Sequence, residues 1–114
     1  MPATLKQKDW STVTRRALTA TEVVASLANL QGWTLTGDGH TLAIERTFTF
    51  VNYYQTIAFV NAVAFIAHVQ DHHPDLVVHF SQCVVRFNTH DVQGISVTDI
   101  DCAARIDAVL LANN

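Results

Sequence analysis

The sequence has few charged residues and no long apolar run, and both shortages narrow the function classes. Asp, Glu, Lys and Arg make up 15% of the 114 residues, compared with about a quarter in a typical soluble domain. Either the core is large for this length, or apolar surface meets another subunit. The longest apolar stretch, residues 57–67, is interrupted only by Asn61. It is too short to span a bilayer, so no membrane partner is expected.

Cysteine is also scarce, and no secretory apolar segment precedes a cleavage site near the N-terminus. Cys83 and Cys102 lie in apolar stretches without metal-ligand spacing, which predicts two buried free thiols and a reducing compartment. We therefore expect a cytoplasmic location. The basic, Ser/Thr-rich first 20 residues are weakly similar to an organellar transit peptide. We favour instead a flexible arm over residues 1–18, followed by a single domain over residues 19–114.

Positive charge is concentrated near the N-terminus. Beyond residue 16 the chain carries three basic and nine acidic residues, a net charge of −6. A compact domain with that charge repels phosphate groups, which disfavours nucleic acid as a direct partner. The other four basic residues are Lys6, Lys8, Arg15 and Arg16.

Hydrophobic periodicity and capping residues predict an α+β fold. Thr19 and Glu22 have capping-box spacing, and Ser96 and Asp99 repeat it with Asp in place of Glu. The order is α-β-β-α-β-β-α, which predicts an antiparallel four-stranded sheet with three helices packed on one face. Arg46 interrupts the apolar face of the second strand, which a strand near a sheet edge can tolerate. The predicted helices span 20–31, 52–71 and 97–112. The predicted strands span 33–35, 42–50 and 76–89. The last range is counted as two strands, divided by a kink or bulge near Ser81-Gln82.

The middle helix is apolar almost all round, although Asn52 provides an ordinary N-cap. A helix without a polar face is buried on more than one side. In a chain of this size another subunit most easily covers the second side. We therefore predict a homo-oligomer, a dimer or a dimer of dimers, that uses this helix and an exposed sheet edge.

Histidine is concentrated in one part of the chain, since five of the six histidines lie between His68 and His90. Imidazole exchanges protons near neutral pH, so such a cluster favours acid–base chemistry. Two groups fall at the ends of predicted elements, where sites are commonly built on a rigid scaffold. They are Asp71-His72-His73-Pro74 after the middle helix and Thr89-His90-Asp91 after a strand. His79, placed within a strand, is interpreted as structural.

The spaced pattern His68-x3-His72-His73-Pro74-x5-Phe80-x9-His90-x8-Asp99 resembles the signature of pterin-4a-carbinolamine dehydratases. These proteins are also known as dimerisation cofactors of a homeodomain transcription factor. Three further segments fit the family, so the likeness covers about residues 20–110. They are Leu30-x2-Trp33, Phe48-x-Phe50 and Gly94-Ile-Ser-x2-Asp99.

The resemblance implies dehydration of a 4a-hydroxytetrahydropterin to the quinonoid dihydropterin and water, in tetrahydrobiopterin recycling beside an aromatic amino acid hydroxylase. It implies histidine acid–base catalysis without a cofactor, since the pterin is the substrate. By resemblance His72, His73 and His90 are the catalytic set. The resemblance does not distinguish the acid from the base, and our own assignment within the set is His72 as acid, His90 as base and His73 holding the pterin. The implied substrate-binding set is Asp71, His72, His73, Asn88, Thr89, His90 and Asp91, and the implied supporting set is His68, Pro74 and Asp99.

The sequence departs from the family at two positions. His68 stands where the family often has Glu, and Leu76 stands where it often has Trp. The first change removes a carboxylate and the second removes an aromatic wall. These departures keep open a second hypothesis, a non-catalytic binding or assembly module of the same fold that acts through protein contacts.

Two plainer interpretations compete for the histidines. His72 and His73 alone could satisfy the last carbonyls of a helix, but the matching spacing of His90 and Asp99 favours a site. His68 and His72, four residues apart, could chelate zinc with a third histidine. No Glu follows His68, and we expect no metal.

Overall fold

The computed structural model of the chain describes residues 7–11 and 15–112. Its elements follow the predicted order, three helices and four antiparallel strands in an α+β arrangement. Part of the predicted arm, residues 1–6 and 12–14, lies outside the described residues. The helices are α1 (Ala20–Leu27), α2 (Tyr53–Gln70) and α3 (Val97–Ala112); the strands are β1 (Thr34–Thr36), β2 (Ala43–Thr49), β3 (Asp75–Val78) and β4 (Gln82–Phe87).

The sheet has the strand order β1-β2-β4-β3, with antiparallel pairing throughout. Strands β2 and β4 form its centre, where Phe48 pairs with Cys83. Strands β1 and β3 form the two edges. Apolar side chains from one sheet face and from the helices share a single core, so the helices anchor the loops at the ends of the central strands. Core members include Ile44, Phe48, Val85 and Phe87 from the sheet and Phe59, Val63, Cys102 and Ile106 from the helices.

The helix N-termini confirm the predicted caps. Thr19 and Glu22 form a reciprocal capping box on α1, and the Asn52 side chain accepts the Gln55 N–H at the start of α2. Helix α1 ends at Leu27 rather than at the predicted residue 31. The chain tightens there, where Leu30 N–H donates to Leu27 O at 3.0 Å, and this turn brings Leu30 into the core.

Arg46 lies on β2, beside the edge strand β1, and the pairing of β1 with β2 reaches only as far as Glu45. The guanidinium donates to Asp107 Oδ1 on α3 at 3.0 Å and lies 4.5 Å above the ring centroid of Phe48. Trp33 Nε1 donates to both oxygens of the same carboxylate. The charge is therefore tolerated because it is paired and stacked, not because it faces solvent.

The predicted division near Ser81-Gln82 is a hairpin turn rather than a kink or bulge. His79 N–H donates to Gln82 O at 2.8 Å, which closes the turn between β3 and β4. His79 is consequently exposed in a turn, and its predicted position within a strand is wrong. At the same end of the sheet, Phe80 stacks on Tyr53 with 6.2 Å between ring centroids.

Candidate active site

The two histidine-bearing segments meet because β3 and β4 are antiparallel neighbours. Asp75 pairs with Arg86 at the end of that ladder. Continuing the register by two residues places His73 opposite Asn88, so the segment entering β3 and the segment leaving β4 lie side by side. Residues that are far apart in the chain thus come together at one end of the sheet.

The end of α2 directs His72 into the protein. Asp71 has the left-handed conformation, with φ 50°, which ends the helix, and His72 N–H then donates to Ala67 O at 3.1 Å. The imidazole stacks on Phe87, with ring planes 10° apart and centroids 5.7 Å apart. His72 is 9% exposed, whereas His73, the next residue, is exposed.

Asp99, in the first turn of α3, is fully buried and holds the His72 ring. Its Oδ1 lies 2.6 Å from His72 Nε2, and its Oδ2 accepts the Thr89 hydroxyl at 2.7 Å and the Ser96 N–H at 2.9 Å. An ionised carboxylate can only accept, so Nε2 carries the proton in this pair. The Nδ1 atom is the ring nitrogen left for a ligand.

A short chain of hydroxyl groups extends this buried network. Thr89 Oγ1 lies 2.6 Å from Ser96 Oγ. Because the single Thr89 hydroxyl proton goes to Asp99, the Ser96 hydroxyl donates to Thr89. Ser96 Oγ also accepts the Thr98 N–H, while Asp99 Oδ2 accepts the Ser96 N–H. Ser96 and Asp99 therefore cap α3 as predicted, but the serine hydroxyl bonds the second helical N–H rather than the third that a full capping box uses.

The segment after β4 forms a closed loop that presents His90 and Asp91. Thr89 N–H donates to Gly94 O at 2.8 Å, and Val92 N–H donates to Thr89 O at 3.2 Å. His90 and Asp91 are exposed on this loop, while Thr89 is buried. The loop is therefore fixed by its own backbone and offers two polar side chains at its surface.

A cavity of about 350 Å³ lies between these segments. It contains every residue of the predicted substrate-binding set, together with one residue that sequence reasoning missed, Arg15. The pair Arg15-Arg16 was interpreted as part of the arm, and no spacing pattern linked it to residues 71–91. The lining residues are Arg15, Asp71, His72, His73, Asn88, Thr89, His90 and Asp91.

The predicted supporting residues have different positions. Asp99 contacts His72 directly, and Pro74 is half-buried immediately before β3. His68 lies on α2, one turn before His72. It is not among the residues that line the cavity. Leu76, the second departure from the family pattern, packs against the core.

Metal binding and a nucleophilic thiol are two other kinds of chemistry that His, Cys and Asp side chains could provide. Within residues 7–11 and 15–112, no group of three His, Cys, Asp or Glu side chains is arranged to hold a metal ion. Cys83 and Cys102 are buried free thiols, as predicted. Burial, helped by the charges of Asp101 and Asp99, raises the pKa of Cys102 to about 12, so this thiol is protonated near neutral pH and is a poor nucleophile.

A family model and the most similar curated proteins that we compared with the chain carry the same description. Residues 16–109 match the family described as pterin 4 alpha carbinolamine dehydratase. A Paracidovorax citrulli protein provisionally named a pterin-4-alpha-carbinolamine dehydratase is 66% identical over 109 residues, covering 96% of this chain and 94% of that protein. A Bdellovibrio bacteriovorus protein with the same name is 53% identical over 98 residues, covering 82% and 78%.

Two solved structures are similar in fold. The crystal structure of a transcriptional coactivator/pterin dehydratase from Brucella melitensis has a TM-score of 0.77 at 29% identity, over 82% of this chain and 98% of that one. A pterin dehydratase-like protein identified as a RuBisCO assembly factor has a TM-score of 0.59 at 23% identity, over 68% and 88%. The latter likeness concerns the fold alone. Across the described residues, no helix combines the length and apolarity needed to cross a membrane.

Proposed function

The chain belongs to the pterin 4 alpha carbinolamine dehydratase family, and from that premise we propose that it dehydrates a 4a-hydroxytetrahydropterin through its histidines. An enzyme of this family is a hydro-lyase. The observation that supports the proposed site is the meeting of His72, His73 and His90 at one cavity, with His72 bound to a buried carboxylate.

The proposed reaction removes water without a net change of oxidation state. The C4a–O bond of the substrate breaks as the hydroxyl takes up a proton and leaves as water. The N5–H bond gives up its proton, and its electron pair forms the C4a=N5 double bond of the quinonoid dihydropterin. One acid and one base are therefore sufficient, and the proposal requires neither a metal nor a cofactor.

His72 is the proposed acid. Its Nε2–H is committed to Asp99, so the ring is held in one orientation and Nδ1 is the atom that can exchange a proton with the substrate. The carboxylate also lies where it balances the positive charge of a protonated ring. Donation from Nδ1 to the departing hydroxyl returns His72 to its neutral form.

His90 is the proposed base, and His73 is the proposed binding residue. His90 lies on the closed loop after β4, in a different segment of the cavity lining from His72, so the two imidazoles would approach a bound ring from separate elements. His73 lies beside His72 and is exposed, which suits a contact to the heterocycle. The cavity volume of about 350 Å³ is the space proposed for the ring between these residues.

The test is an assay of carbinolamine disappearance, with the 4a-hydroxypterin generated in situ and the spontaneous rate as baseline. We expect strong acceleration by the wild-type protein. Because acid–base groups contribute about 100-fold or more, His72→Ala and His90→Ala should each lose most of it. The matched control is His40→Ala, which removes an exposed histidine outside the described cavity lining.

Two outcomes would contradict the proposal. If folded wild-type protein leaves the rate at baseline, the dehydratase function is overturned, and a binding module becomes the better hypothesis. If both alanine variants keep the wild-type rate, the reaction occurs but not at this cavity. Circular dichroism of each variant separates loss of chemistry from loss of fold.

We also propose a cellular location, a pathway and an oligomeric state for the protein. The protein would act in the cytoplasm, in tetrahydrobiopterin recycling, on product released by an aromatic amino acid hydroxylase. It would do so as a homo-oligomer of two or four subunits. Phe65 on α2 is 51% exposed, and Val77 on the edge strand β3 is 52% exposed. A second copy covering these two surfaces would remove apolar area from water and pair the free edge of the sheet.

A further inference from the structure

Arg15 is the lining residue whose role neither the sequence pattern nor the proposed reaction explains. It comes from the segment before α1 and reaches the cavity beside Asp91. Its Nη2 lies 3.4 Å from Asp91 Oδ2, and the two side chains are 26% and 75% exposed. The arginine stem is thus mostly covered, whereas the carboxylate is mostly open to solvent.

The segment that carries Arg15 is attached to the loop it faces. Leu18 N–H donates to Ile95 O at 2.7 Å, and a Cβ added to Gly94 would lie 3.5 Å from Ala17 Cβ. These contacts fix the backbone three residues beyond Arg15 against the end of the loop that bears His90. The backbone close to Arg15 is therefore held against this loop, which places the arginine side chain within reach of the cavity.

The ion pair leaves both partners with unused hydrogen-bonding capacity. A contact of 3.4 Å is long for a charge-assisted hydrogen bond. A guanidinium has five N–H donors, and Asp91 Oδ2 is the one side-chain acceptor that it contacts among the described residues. A planar donor group and a carboxylate thus stand side by side at the cavity, each able to bind a ligand as well as its partner.

We propose that Arg15 and Asp91 together bind the cyclic amide edge of the pterin ring, with the guanidinium donating to the ring carbonyl and the carboxylate accepting from the adjacent N–H groups. This inference rests on the proposed function and names the part of the substrate that is recognised. The ring carbonyl and the neighbouring ring N–H present an acceptor and a donor next to each other, which is the complement of this pair. Arg15 is then a specificity residue of the dehydratase.

The charges of the cavity favour this edge over an acidic substituent. The lining holds two carboxylates, Asp71 and Asp91, against the single guanidinium of Arg15, so its excess negative charge would repel a phosphate or carboxylate on the pterin side chain. A neutral amide edge meets no such repulsion. The charge balance of the lining therefore favours pterins whose side chain is uncharged.

The test uses the natural fluorescence of 6-methylpterin, a stable ring with the same amide edge, in titrations of the full chain. Arg15→Gln and Asp91→Asn should each weaken binding about tenfold or more, since a hydrogen bond to a charged group is lost in each. Arg15→Lys should recover only part of the affinity because it keeps the charge without the planar fork. The matched control is Arg16→Gln, whose guanidinium pairs with Glu22 away from the cavity, and it should bind as the wild type does.

A second ligand separates edge recognition from a general loss of affinity. In 2,4-diamino-6-methylpteridine an amino group replaces the carbonyl, so a donor faces the guanidinium. The wild type should prefer 6-methylpterin about tenfold or more, and Arg15→Gln should lose most of that preference. Unchanged preference in Arg15→Gln, or unchanged affinity for 6-methylpterin, would overturn the inference while leaving the dehydratase proposal intact. Failure of the wild type to bind 6-methylpterin and to accelerate dehydration would overturn both.

Discussion

His72 Nε2 lies 2.6 Å from Asp99 Oδ1, and this contact joins the end of α2 to the start of α3. The same carboxylate closes the N-terminal cap of α3 by accepting the Ser96 N–H. One residue therefore serves both the helix and the orientation of the proposed acid. A change at Asp99 should affect stability and chemistry together, and the two effects can be measured separately.

Asp99→Asn should lower the dehydration rate and change the tautomer of His72. Both oxygens of Asp99 act as acceptors, whereas an amide offers one oxygen and one NH2 group. If the NH2 group faces His72, Nε2 must lose its proton and the reactive nitrogen changes. We expect the rate to fall about 10-fold to 100-fold. Long-range ¹H–¹⁵N spectra of the imidazole should show Nε2 protonated in the wild type and altered in the variant.

The matched control for this prediction is Asp101→Asn. Asp101 is two residues further along α3 and pairs with Arg105 at 3.0 Å on the protein surface, where an ion pair contributes little. Its replacement should leave the rate and the His72 spectrum as in the wild type. An Asp99→Asn protein with normal rate and an unaltered spectrum would contradict the proposed role of the carboxylate.

Ser96→Ala should destabilise the fold more than Thr19→Ala does, although both residues cap a helix. The Thr19 cap is exposed, and its loss should cost about 1 kcal/mol. Ser96 is fully buried, and its hydroxyl also donates to Thr89. We therefore expect a cost of about 2 kcal/mol, from the cap and a lost buried hydrogen bond. Urea unfolding of the two variants measures the difference, and equal costs would refute the expectation.

The buried thiol of Cys102 should make stability fall with alkaline pH. Burial raises the pKa of this thiol from 9.0 to about 12 in the folded chain. The unfolded chain therefore releases the proton first, so the contribution is complete below about pH 9 and is lost as the pH rises towards 12. Between these limits, under reducing conditions, Cys102→Ala should lose less stability with rising pH than the wild type. Parallel curves for the two proteins would show that the thiol is not responsible.

Local chemistry was sufficient to predict most elements, because caps and periodicity act within a few residues. Asn52 and the pair Ser96 and Asp99 mark their helices without reference to the rest of the chain. The pairing of Arg46 was not predicted because its partner, Asp107, is 61 residues away. A distant ion pair leaves no periodic signal in the sequence.

Only those residues of the candidate site that belong to the family pattern could be predicted from the sequence. The resemblance supplied the histidines and their neighbours, and the β3–β4 register explains why they meet. Arg15 lies before the first motif residue, and its contact with Asp91 depends on how the N-terminal segment docks. From its charge, Arg15 was interpreted as part of a solvated arm. Its position in the cavity could be seen only in the folded structure.

Phe65→Glu should shift the protein towards smaller species if α2 covers another subunit. Phe65 is half exposed on a helix with almost no polar face, and a carboxylate in an apolar interface would be desolvated without a partner, at a cost of several kcal/mol. Light scattering at micromolar concentration should give two or four subunits for the wild type and fewer for the variant.

Val24→Glu is the control for the oligomer prediction. Val24 is 66% exposed on α1, a different element from α2 and β3, so placing a carboxylate there should leave the assembly unchanged. A monomeric wild type would refute the prediction outright. Equal dissociation in both variants would indicate a general loss of stability, which thermal unfolding would reveal. If only Phe65→Glu dissociates, and the dissociated variant still unfolds in a cooperative thermal transition, the interface is assigned to α2.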